Sequence, residues 1–294
     1  MKKLSFSLPA CVLLLAVVMG ACSKSEPIEE PEESGLRVDT VWIDSIEFNF
    51  SRCIVEEFAA TRALESITDA GMTDLWVFDY VGGELQQTVH QSSSDDGFGT
   101  VRVATSLGDH TFCFVAAKGT APTVDGSTIT WDKPNDTFWA KHDLTVTPNM
   151  AAQNESLNRV ATRLRIKVTD EITASMKTLA VTPATWYYGI NVLDGTATSS
   201  QTKERSVTIP DSYVGTSGQL MMSVFGISPA DEWQTDVTVV CKDADGNALH
   251  TVQIPSIPFH RNRSTLYSGS LTTGGAQTTV MVETAWADEY EGTW

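Results

Sequence analysis

Several absences in the 294-residue sequence exclude whole classes of protein. Basic residues are scarce, since 20 Lys and Arg stand against 37 Asp and Glu, for a net charge of −17. Nucleic-acid binding needs clustered Lys and Arg, so we expect no nucleic-acid partner. No second apolar run is long enough to span a bilayer, which excludes a multi-pass membrane protein. The hydrophobic fraction of 41% is too high, and the charge too evenly spread, for a disordered chain.

Enzyme motifs are also absent. The five His never pair at a spacing of three or four residues, and no Gly-x-Ser-x-Gly, P-loop or dinucleotide fingerprint occurs. Residues 200–203 match Ser-x-x-Lys, but the partner motifs of that acylating site are missing. Residues 243–247 begin like a calcium loop, fail the EF-hand pattern and fit a hairpin turn. We therefore expect no enzyme activity, no catalytic or metal-binding residues and no cofactor.

The N-terminus has the layout of a secretory signal over residues 1–21. Two Lys precede an apolar stretch that runs to Met19, and Gly20 and Ala21 then lead into Cys22. The order Met-Gly-Ala-Cys resembles the bacterial lipobox, in which the Cys thiol is diacylated and the chain is cut before it. The alternatives are ordinary cleavage beside an incidental Cys, or an uncleaved anchor. Acyl chains on Cys22 would hold the protein firmly to a membrane.

Residues 22–40 have nothing to bury. Pro and self-repelling Glu predict an extended, flexible and acidic tether. Removal of residues 1–21 leaves 18 basic against 37 acidic residues, a mature net charge of −19. Anionic headgroups repel such a chain, so it should stand off the membrane. Acidic residues after a lipidated Cys also resemble the surface-export signal of some bacterial lipoproteins, which implies a surface-exposed position at the outer membrane.

Three Cys remain in the body of the chain, namely Cys53, Cys113 and Cys241. An odd number excludes a complete disulfide framework. Cys113 and Cys241 lie in apolar strand-like runs and are expected to be small buried side chains. Whether one bridge forms among the three is left open.

The dominant hydrophobic period is two, which predicts strands. Ile46, Phe48 and Phe50 alternate with polar residues, and residues 75–78 form a continuous apolar run typical of a strand covered on both faces. Two strand sets of about 120 residues each fit two antiparallel β-sandwich domains, residues 41–152 and 153–294. Residues 56–65 fit either a short helix or a loop. Strands of the second half are predicted over residues 179–181, 207–209, 220–225, 237–241, 249–254, 265–271 and 278–284, with a tight hairpin at Asp245-Gly246.

Two patterns could mark a binding surface. Arg159, Arg163, Arg165 and Lys167 lie on one face of a predicted strand. We favour a solvated sheet face whose charge is neutralised by Asp and Glu on neighbouring strands. Some aromatic residues could stack on sugar rings, but such residues more often fill sandwich cores. They are Trp131, Trp139, Trp186, Tyr187, Tyr188 and Trp233.

Several stretches together resemble the fimbrillin superfamily, the subunits of protease-processed (type V) bacterial fimbriae. The resemblance covers nearly the whole mature chain, and it is closest to the lipid-anchored, FimB-like anchor subunits. It implies an all-β protein with two antiparallel Greek-key (transthyretin-like) β-sandwich domains in tandem, in agreement with the strand count. The stretches are, in chain order, the lipobox at Cys22, Thr-Arg-Ala at residues 61–63, Leu-Trp-Val-Phe-Asp at residues 75–79, residues 157–164 and residues 258–265.

The resemblance implies other fimbrial subunits as partners. In that family a sandwich that lacks a strand accepts one from the next subunit. The donor strand here would span about residues 277–286, with Thr278, Val280, Val282 and Thr284 on one face. Cleavage after Arg62 would release the first strand and make the chain a stalk or tip adhesin, whereas survival of Arg62 fits an anchor. A carbohydrate-binding surface lipoprotein, with a glycan or host ligand, is the remaining alternative.

Overall fold

The structure is a computed structural model. All the residues that it describes belong to one compact unit, residues 41–294. Cys22, Arg62, Thr278 and Thr284 lie outside the described residues. The described stretches are residues 43–54, 64–119, 121–272, 279–283 and 288–293.

Twenty-one strands and one 3-10 turn, Asp211–Tyr213, form the regular structure of these stretches. The strands make four sheets. The first sheet contains β1 (Ile43–Ile54), β2 (Leu64–Glu65), β3 (Asp74–Val81), β4 (Glu84–Ser92), β5 (Thr100–Ser106), β6 (Gly108–Ala117), β9 (Thr137–Val146) and β10 (Gln153–Arg159). The second contains β11 (Ala161–Val168), β16 (Gln219–Ile227), β19 (Ser264–Gly269), β20 (Thr279–Glu283) and β21 (Asp288–Thr293). The third contains β12 (Thr178–Pro183), β15 (Arg205–Thr208), β17 (Glu232–Lys242) and β18 (Ala248–His260), and the fourth β7 (Thr123–Asp125), β8 (Thr128–Thr130), β13 (Trp186–Asn191) and β14 (Ala197–Gln201).

The all-β prediction is confirmed, and most neighbouring strands are antiparallel. The first sheet has the order β2-β1-β10-β9-β6-β3-β4, and β5 pairs with the first part of β1. Parallel pairing occurs between β1 and β10, between β11 and β19, and at one bridge between β19 and β21. The described part of the chain contains no helix that is long and apolar enough to cross a membrane.

Strand β3 of the first sheet is buried on both of its faces. Leu75 and Val77 pack into one buried cluster, the first core, whereas Trp76 and Phe78 pack into another on the opposite face, the bridging core. Six consecutive residues of β3 are buried as a result. The prediction of a strand covered on both faces is therefore confirmed.

Two of the three cores are each formed by one part of the chain, and the third combines residues from both parts. The first core draws on residues 46–157, and a second core draws on residues 164–271. The bridging core combines residues 76–131 with residues 160–227. In the fourth sheet β13 pairs with β8, which joins both parts of the chain in one sheet. The domain boundary at residue 152 stays a prediction, and the strand that begins at residue 153 belongs to the first sheet.

Two smaller expectations can be compared with the strands. The hairpin at Asp245-Gly246 is confirmed, since it connects β17 to β18 and Gly246 has φ +84°. Within the stretch 56–65, only residues 64–65 are described, and they form β2, which pairs with the end of β1.

Candidate functional site: two strand seats and a groove

The first strand, β1, is held from both sides in the first sheet. Its residues Ile43–Asn49 pair with β5, and its later residues pair with β10. The alternation predicted for this strand places Ile46, Phe48 and Phe50 in the first core, each at most 2% exposed. The ring of Phe48 lies 4.8 Å from that of Phe112, centre to centre. Phe114 contacts both Phe48 and Phe50, with centroids 5.0 and 5.1 Å apart.

The position that β1 occupies between β5 and β10 has the properties of a strand-accepting groove. If β1 left, the edges of β5 and β10 would expose unpaired N–H and C=O groups. The sockets of its three large apolar side chains would open beside them. Both features are what a donated strand needs, namely backbone pairing for affinity and side-chain pockets for register.

The C-terminal strands lie at one edge of the second sheet. β20 pairs with β19 in the register Leu266 to Met281 and Ser268 to Thr279, and β21 pairs with β20 on its far side. Of the four residues predicted for the donor strand, Val280 and Val282 lie in β20. The predicted strand over residues 278–284 is thus found at residues 279–283, paired with its own chain.

The predicted basic face is interrupted at Arg159. This residue ends β10, whereas β11 begins two residues later, so its side chain does not continue the stripe. Arg159 is buried, its Nε and Nη2 bind the Asp136 carboxylate at 2.7 and 3.0 Å, and its Nη1 donates to Asn262 Oδ1 at 2.9 Å. The guanidinium also lies 4.8 Å from the centre of the Phe138 ring. Placing Arg159 on a solvated face was therefore wrong.

The other three basic residues of the stripe are partly exposed on β11. Arg163 donates from Nε to Ser264 Oγ at 3.0 Å, and its guanidinium lies 5.9 Å from the Phe225 ring centre. The strands that flank β11, β16 and β19, contain no Asp or Glu in their sequences. The expected neutralising acids are therefore absent from the two adjacent strands.

A groove of about 670 Å³ runs between the edge strands β15 and β16. Phe225 and Met222 line it together with Arg205, and the ion pair of Lys203 with Asp132 lies at its rim. This ion pair lowers the pKa of Asp132. Ligand sites are concave and combine apolar lining with a few polar groups, and this groove contains both kinds of side chain.

Of the aromatic residues considered for sugar stacking, Trp131, Trp186 and Tyr188 are buried and not available to a ligand, whereas Trp139, Tyr187 and Trp233 are partly buried. Trp186 is fully buried in the second core, and its Nε1–H donates to the Phe225 carbonyl at 2.8 Å. The buried cysteines behave as predicted. Cys113 and Cys241 are free thiols without exposure, and burial raises their pKa to about 12 and about 11. Both therefore remain protonated near neutral pH.

The two motifs that resembled other sites are part of ordinary secondary structure. Ser200 belongs to β14, and Lys203 forms the ion pair at the groove rim. The Asp243 carboxylate accepts the N–H groups of Asp245 and Asn247 at 3.0 and 2.8 Å, which closes the hairpin turn. Among the described residues, no three His, Cys, Asp or Glu are grouped so that they could hold a metal ion.

Sequence reasoning missed a buried polar cluster in the first half of the chain. Asp79 is fully buried and binds His110, which is itself 4% exposed. The available signal was a lone acid inside an otherwise apolar strand, Leu-Trp-Val-Phe-Asp-Tyr-Val. A buried carboxylate needs a partner, so Asp79 predicts a second polar group nearby.

Comparison with known proteins gives a family and a fold. A family of unknown function, DUF6562, matches residues 122–294. In sequence, none of the curated proteins matches the chain. A "putative adhesin" from Bacteroides ovatus ATCC 8483 is similar in structure, with 10% identity, coverage of 72% of this chain and 82% of that one, and a TM-score of 0.50.

Two further solved structures are similar. One of the "putative polysaccharide binding proteins (DUF1812)" of Bacteroides thetaiotaomicron VPI-5482 has 10% identity, 82% and 96% coverage and a TM-score of 0.51. The fimbrial anchor protein Mfa2 of Porphyromonas gingivalis has 9% identity, 71% and 81% coverage and a TM-score of 0.42. The two similarities at TM-scores of 0.50 and 0.51 indicate a shared fold.

Proposed function

The chain belongs to the family of unknown function DUF6562, and we propose that it is a lipid-anchored subunit of a surface fimbrium. It is held to the outer membrane through acyl chains on Cys22 and pairs by strand donation with other fimbrial subunits. A fold shared with an adhesin-like protein is consistent with this role. The observation that carries the proposal is the arrangement of the chain's two terminal strands, since one fills a core and the other lies at a sheet edge.

The first strand supports an anchor-like position. β1 places three large apolar side chains in the first core, so a chain that retains β1 keeps its own groove filled. Such a subunit accepts no strand there and can only donate one, as expected for the end of a polymer. Cleavage after Arg62 would instead leave β1 as a separate peptide that an incoming strand could displace.

Mass spectrometry of the mature N-terminus from native membranes tests the anchor. We expect an acylated peptide that starts at Cys22 and a chain that continues through Arg62. A Cys22→Ser variant should lose the acyl mass and leave the membrane fraction. A mature chain that starts at Ala63 would contradict the anchor and indicate the stalk or tip alternative.

The C-terminal hairpin is the proposed donor. β20 pairs with β19 on one side and with β21 on the other, and β21 also has one bridge to β19, at Glu289. Both strands of the hairpin can leave together once their pairing with β19 is broken. A disulfide between Ser268→Cys and Thr279→Cys would join two directly opposed residues and lock β20 to β19. We expect the oxidised double variant to stop pairing with the next subunit and reduction to restore it.

Each single Cys variant, treated with the same oxidant, is the matched control for the lock. Pairing is measured by co-purification with the fimbrial subunits from the native membrane. Undiminished co-purification by the oxidised double variant would contradict donation by β20.

The groove between β15 and β16 supports a second candidate, a glycan-binding role. It combines a ring, Phe225, with the polar groups of Arg205, Lys203 and Asp132. Binding to a glycan array should be lost in Phe225→Ala and retained in Leu85→Ala, an exposed apolar residue elsewhere on the chain. Equal signals from the two variants would contradict a glycan site in this groove.

A further inference from the structure

Four side chains at the end of the first core form a hydrogen-bonded chain. Asp79 Oδ1 lies 2.6 Å from His110 Nδ1, and Asp79 Oδ2 accepts a hydrogen bond from Thr105 Oγ1 at 2.5 Å. The imidazole of His110 also stacks on Phe112, with ring centres 5.6 Å apart and planes 12° apart. Asp79 is 0% and His110 4% exposed, so the packing fixes the orientation of the ring.

The chain continues from the imidazole to a hydroxyl. Ser106 Oγ lies 3.2 Å from His110 Nε2, and Ser106 is only half-buried at the end of β5. An ionised carboxylate only accepts hydrogen bonds, so in the neutral imidazole Nδ1 carries the proton toward Asp79. Nε2 then presents its lone pair to the Ser106 hydroxyl. The order hydroxyl, imidazole and carboxylate is the one in which a general base activates a serine nucleophile.

A cavity adjoins this cluster. It measures about 370 Å³ and His110 is one of the residues that border it, although the His110 side chain is only 1% exposed. Ser106 does not border this cavity, but it is half-buried, so solvent and small molecules reach the cluster through the Ser106 hydroxyl. Gly82 and Gly83 form part of the wall, and a side chain at either position would meet open space. Asp109 and Asp143 also line it, and their carboxylates disfavour an anionic substrate.

We propose that Ser106, His110 and Asp79 form an acyl-transfer site that hydrolyses small, uncharged carboxylic esters. His110 Nε2 takes the Ser106 proton while Oγ bonds to the ester carbonyl carbon. The imidazolium then returns that proton to the leaving alcohol as the ester C–O bond breaks. Water, deprotonated by the same nitrogen, releases the acid and restores the serine hydroxyl. Asp79 is a positioning residue that fixes the tautomer and stabilises the imidazolium.

A purely structural role makes a different prediction. Polar groups at the end of a core can serve only to satisfy one another, because an unpaired buried group costs free energy. In that case Ser106 reacts no faster than any surface serine. The reactivity of Ser106 therefore separates the two roles, and stability does not.

The test uses the mature protein and two probes. Hydrolysis of p-nitrophenyl acetate gives the rate, and a fluorophosphonate, which loses fluoride to an activated serine, identifies the residue by mass spectrometry. We expect the label on Ser106 and a loss of about 10²-fold or more in kcat for Ser106→Ala. Ser217→Ala, an exposed serine outside the cluster, is the matched control and should keep both signals.

A second variant keeps the test decisive if changes at the buried Asp79 or His110 prevent folding. Ser106→Cys replaces the hydroxyl beside the imidazole by a thiol, which iodoacetamide should alkylate faster near neutral pH than an exposed control, Ser217→Cys. The proposal would be overturned if the wild type hydrolysed the ester no faster than Ser106→Ala and no fluorophosphonate were found on Ser106. The cluster would then have only the structural role of satisfying its own polar groups.

Discussion

A buried charge is where a single residue of this protein matters most for stability. Arg159→Ala would leave the Asp136 carboxylate, whose side chain is 15% exposed, without its bidentate partner. We expect a loss of about 3 kcal/mol or more in the free energy of unfolding, because a partly desolvated charge is left uncompensated. Urea unfolding measures the difference. The control is Arg102→Ala, whose pair with Glu47 is largely exposed and contributes about 1 kcal/mol or less.

The buried thiols predict how stability depends on pH. Burial raises the pKa of Cys113 from 9.0 to about 12 and that of Cys241 to about 11. Below about pH 9 the folded and unfolded chains both hold these protons, so this contribution is complete. As the pH rises further, the unfolded chain releases them first, and the free energy of unfolding falls. Burial raises the pKa of Tyr80 to about 12, which acts in the same direction.

Urea unfolding near neutral pH and at about pH 10.5 measures this slope. Cys113→Ala should be less stable than the wild type at both pH values. Its free energy of unfolding should fall less than that of the wild type between neutral pH and about pH 10.5. A slope identical to that of the wild type would show that the Cys113 thiol is not shielded in the folded state.

At the scale of elements, β1 is the strand on which the first core depends. Phe48→Ala removes a fully buried ring that contacts Phe112 and Phe114, so we expect a cost of about 3–5 kcal/mol. Glu47→Ala, the next residue on the opposite face, should cost about 1 kcal/mol or less. Thermal unfolding of both variants checks the contrast. Similar melting temperatures would mean that β1 is not part of the cooperative unit.

The same elements explain how far the sequence predicts the fold. β1 and β3 could be recognised because their buried positions are apolar and their periodicity is undisturbed. β10 could not, because two of its buried positions hold Glu155, which binds His142 at 2.7 Å, and Arg159. The sequence did not reveal the cluster of Asp79, Ser106 and His110 either. Ser106 and His110 are four residues apart, but Asp79 reaches them only through the pairing of β3 with β6.

At the scale of the whole molecule, net charge opposes association. The mature chain has 18 basic and 37 acidic residues, so two copies, or two equally acidic subunits, repel each other before their strands can pair. Salt screens charges over about 10 Å at 0.1 M, which shortens the range of this repulsion. We therefore expect strand pairing between copies with released hairpins to become faster as NaCl rises. Uncharged sucrose at matched osmolality is the control. Light scattering measures the rate of pairing. A rate that falls as NaCl rises would mean that local ion pairs where the strands pair have a larger effect than the net charge.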